Sequence, residues 1–221
     1  MSKRWLILAV LFAARTLVGY QYQSVAAVSP FLMADLGIDY GQYGESAVVT
    51  PREFKDEHEI TSFDQVLVGR NKTRKDYNAR MREIYGRSSR FPEPSERMVC
   101  LKNDREKKIF NGGMFTVESV TPAPEDKGIH MTVRSQDDPD LPAVDVFTRE
   151  EIITGARAPH HSELRGTQQF TYGYALTVHK SQGSQWPKVM IKDEAFGSSQ
   201  ERRQWLYTAI TRAAEQVVIV R

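Results

Sequence analysis

Near its carboxyl end the chain carries Val217-Val-Ile-Val220, four apolar residues with no polar residue between them. A strand with one wet face alternates apolar and polar side chains. An unbroken run must be covered on both faces, which is the pattern of a parallel sheet sandwiched between helices. The flanking sequence supplies such helices. Ser198-Ser-Gln-Glu201 has the spacing of an S-x-x-E capping box, and Trp205, Ala209 and Ala213, with Leu206 and Ile210, recur at helical intervals through Arg212. Upstream, Gln65-Val-Leu-Val-Gly69 reads as a short strand. It feeds a helix over Asn71 to Tyr85 that places Tyr77, Met81 and Ile84 on one face and stops at Gly86. Strand and helix alternation of this kind predicts an α/β fold, a doubly wound sheet with helices on both faces.

A different texture interrupts it. Met98-Val-Cys-Leu101, Phe115 to Val120, Ile129 to Val133 and Val144 to Phe147 are short candidate strands. Asn111-Gly-Gly113, Pro122, Pro124, Gly128, Pro139 and Pro142 punctuate them. This predicts a small antiparallel β-barrel over residues 96–165, inserted between α/β pieces at 64–95 and 166–221. From Gln168 the α/β texture is expected to return with Phe170-Thr-Tyr-Gly173, a short helix over Ala175 to Ser181 and a strand at Val189-Met-Ile191. Residues 44–63, polar and charged, with Pro51 and the run Arg52 to Glu59, read as a solvated linker.

Residues 1–43 are unlike the rest. Lys3 and Arg4 precede an apolar run from Trp5 to Ala14, and only Arg15 is charged between there and Asp35. An apolar helix is predicted here. A signal-peptide core, a polar-lined membrane helix over residues 5–34 and a buried helix all fit the composition, though no small-x-small cleavage site follows the run at once. Arg15-Thr-Leu-Val-Gly-Tyr-Gln-Tyr-Gln-Ser-Val-Ala, with Pro30 to Gly37, resembles the first transmembrane helix of a major facilitator superfamily transporter. That resemblance implies a chimera with a seam near Gly41 to Ser46 and opens the possibility of membrane association. One such helix cannot build a transport cavity.

Bulk charge adds little, because 30 basic against 28 acidic residues leave a net charge of +2, so any nucleic-acid contact must be local. Cys100 is the only cysteine. That excludes an intrachain disulfide and a thiolate metal cage, and it fits a reducing cytoplasm. No metal ligand set is predicted.

Three segments carry a second resemblance. Tyr174-Ala-Leu-Thr-Val-His-Lys-Ser-Gln-Gly-Ser184 resembles motif V of superfamily 1 DNA helicases of the RecD/Dda type. Leu206-Tyr-Thr-Ala-Ile-Thr-Arg-Ala213 resembles motif VI, and Val68-Gly-Arg-Asn-Lys-Thr-Arg74 followed by Asn78 resembles motif IV. Motifs V and VI in this order are together far more specific than either alone. The resemblance implies a RecA-like, UvrD-like C-terminal helicase domain interrupted by an SH3-like barrel, working with ATP, Mg²⁺ and single-stranded DNA. It implies that Thr177 and His179 face the single strand, and that Gln182, Gly183 and Ser184 face ATP. Gln185 stands where many relatives carry a ribose-binding glutamate, which puts that contact in doubt.

Arg212 is the candidate arginine finger. A guanidinium offers permanently charged, bidentate donors to the charge that develops on a transferring phosphoryl group. An arginine stabilising a helix carboxyl end is the plainer alternative. At the motif IV turn, Asn71 is a candidate DNA contact and Arg74 a second catalytic candidate. Lys72, Arg74, Lys75, Arg80 and Arg82 also read as a solvated basic helix face.

The sequence contains no G-x-x-x-x-G-K-[ST] and no apolar strand ending in Asp-Glu before motif IV. The loop that cradles phosphates and the Mg²⁺ hydroxyl are thus not encoded here. Alone, the chain is expected not to hydrolyse ATP; a first RecA-like domain acting in trans is the expected partner. The alternative is a non-catalytic nucleic-acid-binding or partner module.

Overall fold

The computed structural model describes residues 45–49, 59–155 and 159–220. The predicted apolar helix and the transporter-like segment of residues 1–43 lie outside them. Among the described residues no helix is long and apolar enough to cross a membrane.

Two five-stranded sheets share the chain. The first contains β1 (Glu45–Val49), β2 (Gln65–Val68), β8 (Ala175–Thr177), β9 (Trp186–Lys192) and β10 (Ala213–Val220). Its order is β1-β10-β9-β2-β8, and every neighbouring pair is parallel. Alternate residues of these strands enter two different apolar layers, as the unbroken run in β10 requires. Val66, Val68, Met190, Val218 and Val220 pack with Met81 of α1 (Asn71–Ile84). Leu67, Val189, Ile191, Val217 and Ile219 pack with Trp205, Ala209 and Ile210 of α3 (Ser199–Ile210). One helix therefore covers each face. Burial of each such aliphatic side chain contributes roughly 1.5–3 kcal/mol. The capping box opens α3 as predicted: the Ser198 hydroxyl accepts from Glu201 N–H at 3.3 Å, and the Ser198 N–H donates to Glu201 Oε2 at 2.7 Å. The Ser198 N–H, and after it the Ser198 hydroxyl, hold the Glu201 carboxyl below its usual range.

The second sheet is antiparallel throughout, with order β6-β5-β4-β3-β7. It comprises β3 (Arg97–Cys100), β4 (Met114–Ala123), β5 (Gly128–Ser135), β6 (Val144–Arg149) and β7 (Phe170–Tyr172). Its outer strands are joined through Gln168, whose N–H donates to Phe147 O at 2.8 Å while its Oε1 accepts Phe147 N–H at 2.9 Å. One residue thereby imitates both halves of a ladder pair. A short helix, α2 (Glu150–Thr154), follows β6 and buries Ile153.

Three expectations are corrected. Phe170-Thr-Tyr belongs to the antiparallel sheet, pairing with β3, because it carries the chain out of the insert. Ala175 to Thr177 is a strand and not the start of a helix. It pairs with Val66 to Val68, and the turn begins only at Val178. A three-residue apolar run has no period to separate the two states, so pairing decides. Finally, the stretch read as a linker contains β1, paired along five residues with β10, and a 3₁₀ turn over Glu59–Ser62 that buries Ile60. The charged run beyond Pro51 masks the Ala47-Val-Val49 strand signal.

A polar knot fastens the insert to α1. Glu96, fully buried at the start of β3, accepts from Arg82 Nε at 2.7 Å and Arg82 Nη2 at 3.1 Å. It also accepts from Glu93 N–H at 2.7 Å and the Tyr174 hydroxyl at 3.3 Å. The Arg82 guanidinium lies 4.4 Å above the Tyr172 ring. Burial pushes the Tyr172 and Tyr174 hydroxyls well above their ordinary value. The segments entering and leaving the insert therefore meet on one arginine.

Candidate functional site

All strands of the first sheet run the same way, so it has one carboxyl edge and one amino edge. Thr177 ends β8 at the carboxyl edge, opposite Val68, and Val178 N–H extends the ladder to Val68 O at 3.1 Å. The Thr177 carbonyl then accepts from Lys180 and Ser181 N–H at 2.8 and 3.1 Å, winding the chain into a tight turn. Val178 tucks this turn into the apolar layer under α3. By Trp186 the chain has reached the amino edge, where Ala213 is the register partner of Trp186. The motif V segment thus crosses the sheet from one edge to the other.

Each end meets a different group. At the carboxyl edge stand Thr177, nearly buried, and His179, exposed. At the amino edge, Arg212 Nη1 donates to Ser184 O at 3.2 Å, and Trp186 N–H donates to Arg212 O at 2.9 Å. Arg212 Nε and Nη2 are held by Thr208 O at 3.2 Å and Thr211 Oγ1 at 3.1 Å. The guanidinium is therefore fixed between the end of α3 and the end of the motif V turn. Gly183 has φ +97°, and a Cβ there would meet no atom within 4 Å, so the turn opens towards solvent at that point. Gln185 is exposed beside it.

Gln182 departs from the expected grouping. It lines a depression of about 310 Å³ together with His179, Phe196, Gln204, Trp205 and Thr208. A residue assigned to ATP and one assigned to DNA thus share one hollow. Phe196 stands 60% exposed on its rim.

The two catalytic candidates stand on different elements. Arg74 lies on α1, which covers the opposite face of the sheet from α3, and near the carboxyl edge, where α1 begins. Arg212 sits at the amino edge. Burial lowers the Arg74 guanidinium below its ordinary value.

Of the supposed solvated basic face, Arg82 binds Glu96, Arg80 pairs with Glu83 and Lys75 Nζ donates to Gly155 O at 3.1 Å. Lys72, Lys75 and Arg80 are nevertheless exposed, so much of that face meets solvent. Asn78 is buried as well. Its amide donates to Ala175 O and accepts from Ala175 N–H, both at 3.0 Å, which satisfies the outer side of β8.

Sequence reasoning missed Glu194. Arg70, the residue before α1, gives no side-chain cap. Instead the Glu194 carboxylate, just beyond β9, accepts from Gly69 N–H at 3.0 Å, Arg70 N–H at 3.1 Å and Thr73 Oγ1 at 2.6 Å. The backbone amides at the start of α1 are thus turned onto an internal anion. Asn71 lies exposed beside them. The approach is close enough that a Cβ on Gly69 would stand 2.8 Å from Glu194 Cβ. A second missed link is Lys180 Nζ to Asn111 Oδ1 at 3.0 Å, which ties the motif V turn to the insert. Neither pair has a local pattern that could have revealed it.

Among the described residues no group of three or more His, Cys, Asp or Glu side chains could hold a metal ion. The polar side chains at the amino edge are the Arg212 guanidinium and the exposed Gln185 amide, groups of a kind that can meet an anionic or hydroxylated ligand.

Residues 172–220 match the model of the UvrD-like helicase C-terminal domain. The ATP-dependent RecD2 DNA helicase of Deinococcus radiodurans is 35% identical over 123 residues, covering 56% of this chain and 14% of that protein. The chain thus spans a small part of this relative's length. Among solved structures, the Pif1 helicase of Candida albicans aligns with a TM-score of 0.46 at 16% identity, covering 70% of this chain and 44% of that one. Bacteroides Pif1 bound to single-stranded DNA aligns at 0.43 and 15%, covering 73% and 44%. These matches are to helicases. They lend no support to the transporter resemblance of residues 1–43.

Proposed function

We propose that this chain supplies the second RecA-like half of an ATP-dependent motor on single-stranded DNA, with the antiparallel insert as its SH3-like module. It does not complete the reaction alone. The observation that carries this reading is the path of the motif V segment. It starts at the carboxyl edge with Thr177 and His179 and ends at the amino edge against Arg212. One stretch of chain, fastened at both ends by backbone hydrogen bonds, thereby links the candidate DNA contacts to the candidate phosphate contact.

In this reading Arg212 is the arginine finger, and Ser184 holds it ready while Gln185 and Gly183 face the nucleotide. Gln182 goes with His179 on the strand-facing side. Asn71 belongs to the same carboxyl edge. Arg74, in the first turn of α1, is the second catalytic candidate. ATP and Mg²⁺ would be held chiefly by a first domain bearing the phosphate loop; bound there, ATP supplies the phosphoryl group that is transferred to water. What this chain contributes is charge stabilisation by Arg212 and a grip on the strand.

The test mixes the purified chain with a separately expressed first RecA-like domain and measures oligothymidylate-stimulated phosphate release. Stimulated hydrolysis is expected from the mixture and none from the chain alone. Arg212→Ala should lower the mixture's rate roughly 10³-fold while leaving strand binding intact. Hydrolysis by the chain alone overturns the proposal. A mixture that binds DNA without hydrolysis favours the alternative, a non-catalytic binding module.

A further inference from the structure

A groove of the insert is lined by no residue of motifs V and VI and stands independently of the reading above. It measures about 640 Å³ and runs between the hairpin around residues 106–113 and the connection from β5 to β6. Its floor is apolar. Ile109 and Phe115 are buried beneath it, Leu141 and Val144 form one wall, and Phe110 stands 57% exposed on the lip. A phenylalanine left that open beside an apolar floor is a surface feature that partner binding explains.

Its rim is acidic. Glu106, Asp137, Asp138 and Asp145 face two lysines, Lys107 and Lys108. Lys107 Nζ is already drawn to the Asp145 carbonyl at 2.5 Å. Asp137 accepts the Met114 N–H at 3.0 Å, and Asp145 accepts the Thr132 hydroxyl at 2.7 Å. The Glu106 and Asp138 carboxylates make no hydrogen bond or ion pair among the described residues. An acidic rim over an apolar floor repels a phosphate backbone and attracts lysine or arginine side chains.

We infer that this groove docks a basic peptide segment of a partner protein, seating an apolar side chain against Phe110 and basic side chains on Glu106 and Asp138. Because Asn111 in the same hairpin holds Lys180, the bound segment would lie beside the motif V turn.

The experiment uses the full chain and a fluorescein-labelled heptapeptide of alternating lysine with leucine or phenylalanine, read by anisotropy. Binding is expected to weaken with salt and to fall about tenfold in both Phe110→Ser and Asp138→Lys. Both positions are exposed, so the variants should keep the parent's thermal transition. A peptide with glutamate for lysine should not bind, and oligothymidylate should not compete. The inference is overturned by an absence of binding, by equal binding of the acidic peptide, by variants without effect or by displacement with oligothymidylate.

Discussion

At the scale of single residues, the most informative group is one that sequence alone does not single out. Glu194 replaces the missing cap of α1, and its carboxylate satisfies two amides and a hydroxyl at a helix start, where negative charge is favoured. Glu194→Ala should destabilise the fold by roughly 1–3 kcal/mol, since it removes a cap and leaves those donors unpaired. A denaturant titration checks this, and a change within about 0.5 kcal/mol, typical of a neutral surface substitution, would remove Glu194 from this role. The contrast with Ser198 shows what is legible. Ser198 and Glu201 lie three apart, so the cap can be read from spacing. Glu194 reaches Gly69 across 125 positions, and no window of sequence contains both. Arg212 belongs between these cases, because its helix and motif are local but its acceptor on Ser184 is not.

At the scale of elements, α1 does more than cover one face of the sheet. Through Arg82 it grips Glu96 at the start of the insert and lies over Tyr172 at its end. Glu96→Ala would leave Arg82 partly buried without its carboxylate and should cost about 3–5 kcal/mol. Replacing both residues by methionine should recover much of that loss, because an ion pair exchanged for packed apolar groups is often near neutral. Thermal melts of the single and double variants decide it; a double variant no more stable than the single one would argue against a paired role. Element types were legible where a pattern was long enough to have a period. The helix of α1, the hairpins of the insert and the apolar run of β10 are such cases. The strands β1 and β8 were not, since five and three residues are fixed by what they pair with and not by their own periodicity.

At the scale of the whole molecule, the two sheets differ in how far apart their partners lie. The insert is a meander in which β4, β5 and β6 pair with their neighbours in sequence. The parallel sheet joins Glu45 to Gln216 and Val68 to Thr177, across almost the full described length. Local contacts close sooner than distant ones. In pulse-labelled hydrogen exchange during refolding, amides of β4 and β5 should gain protection before those of β1 and β10; simultaneous protection would refute this order. The location of β10 has a further consequence for a chain made from its amino end. That strand, the last described, fills the interior of the sheet between β1 and β9. On the ribosome, β1 must wait without its strand partner until residues 213–220 emerge. At roughly 5–20 residues per second that interval is on the order of ten seconds, long enough for a nascent-chain chaperone to bind the waiting strand.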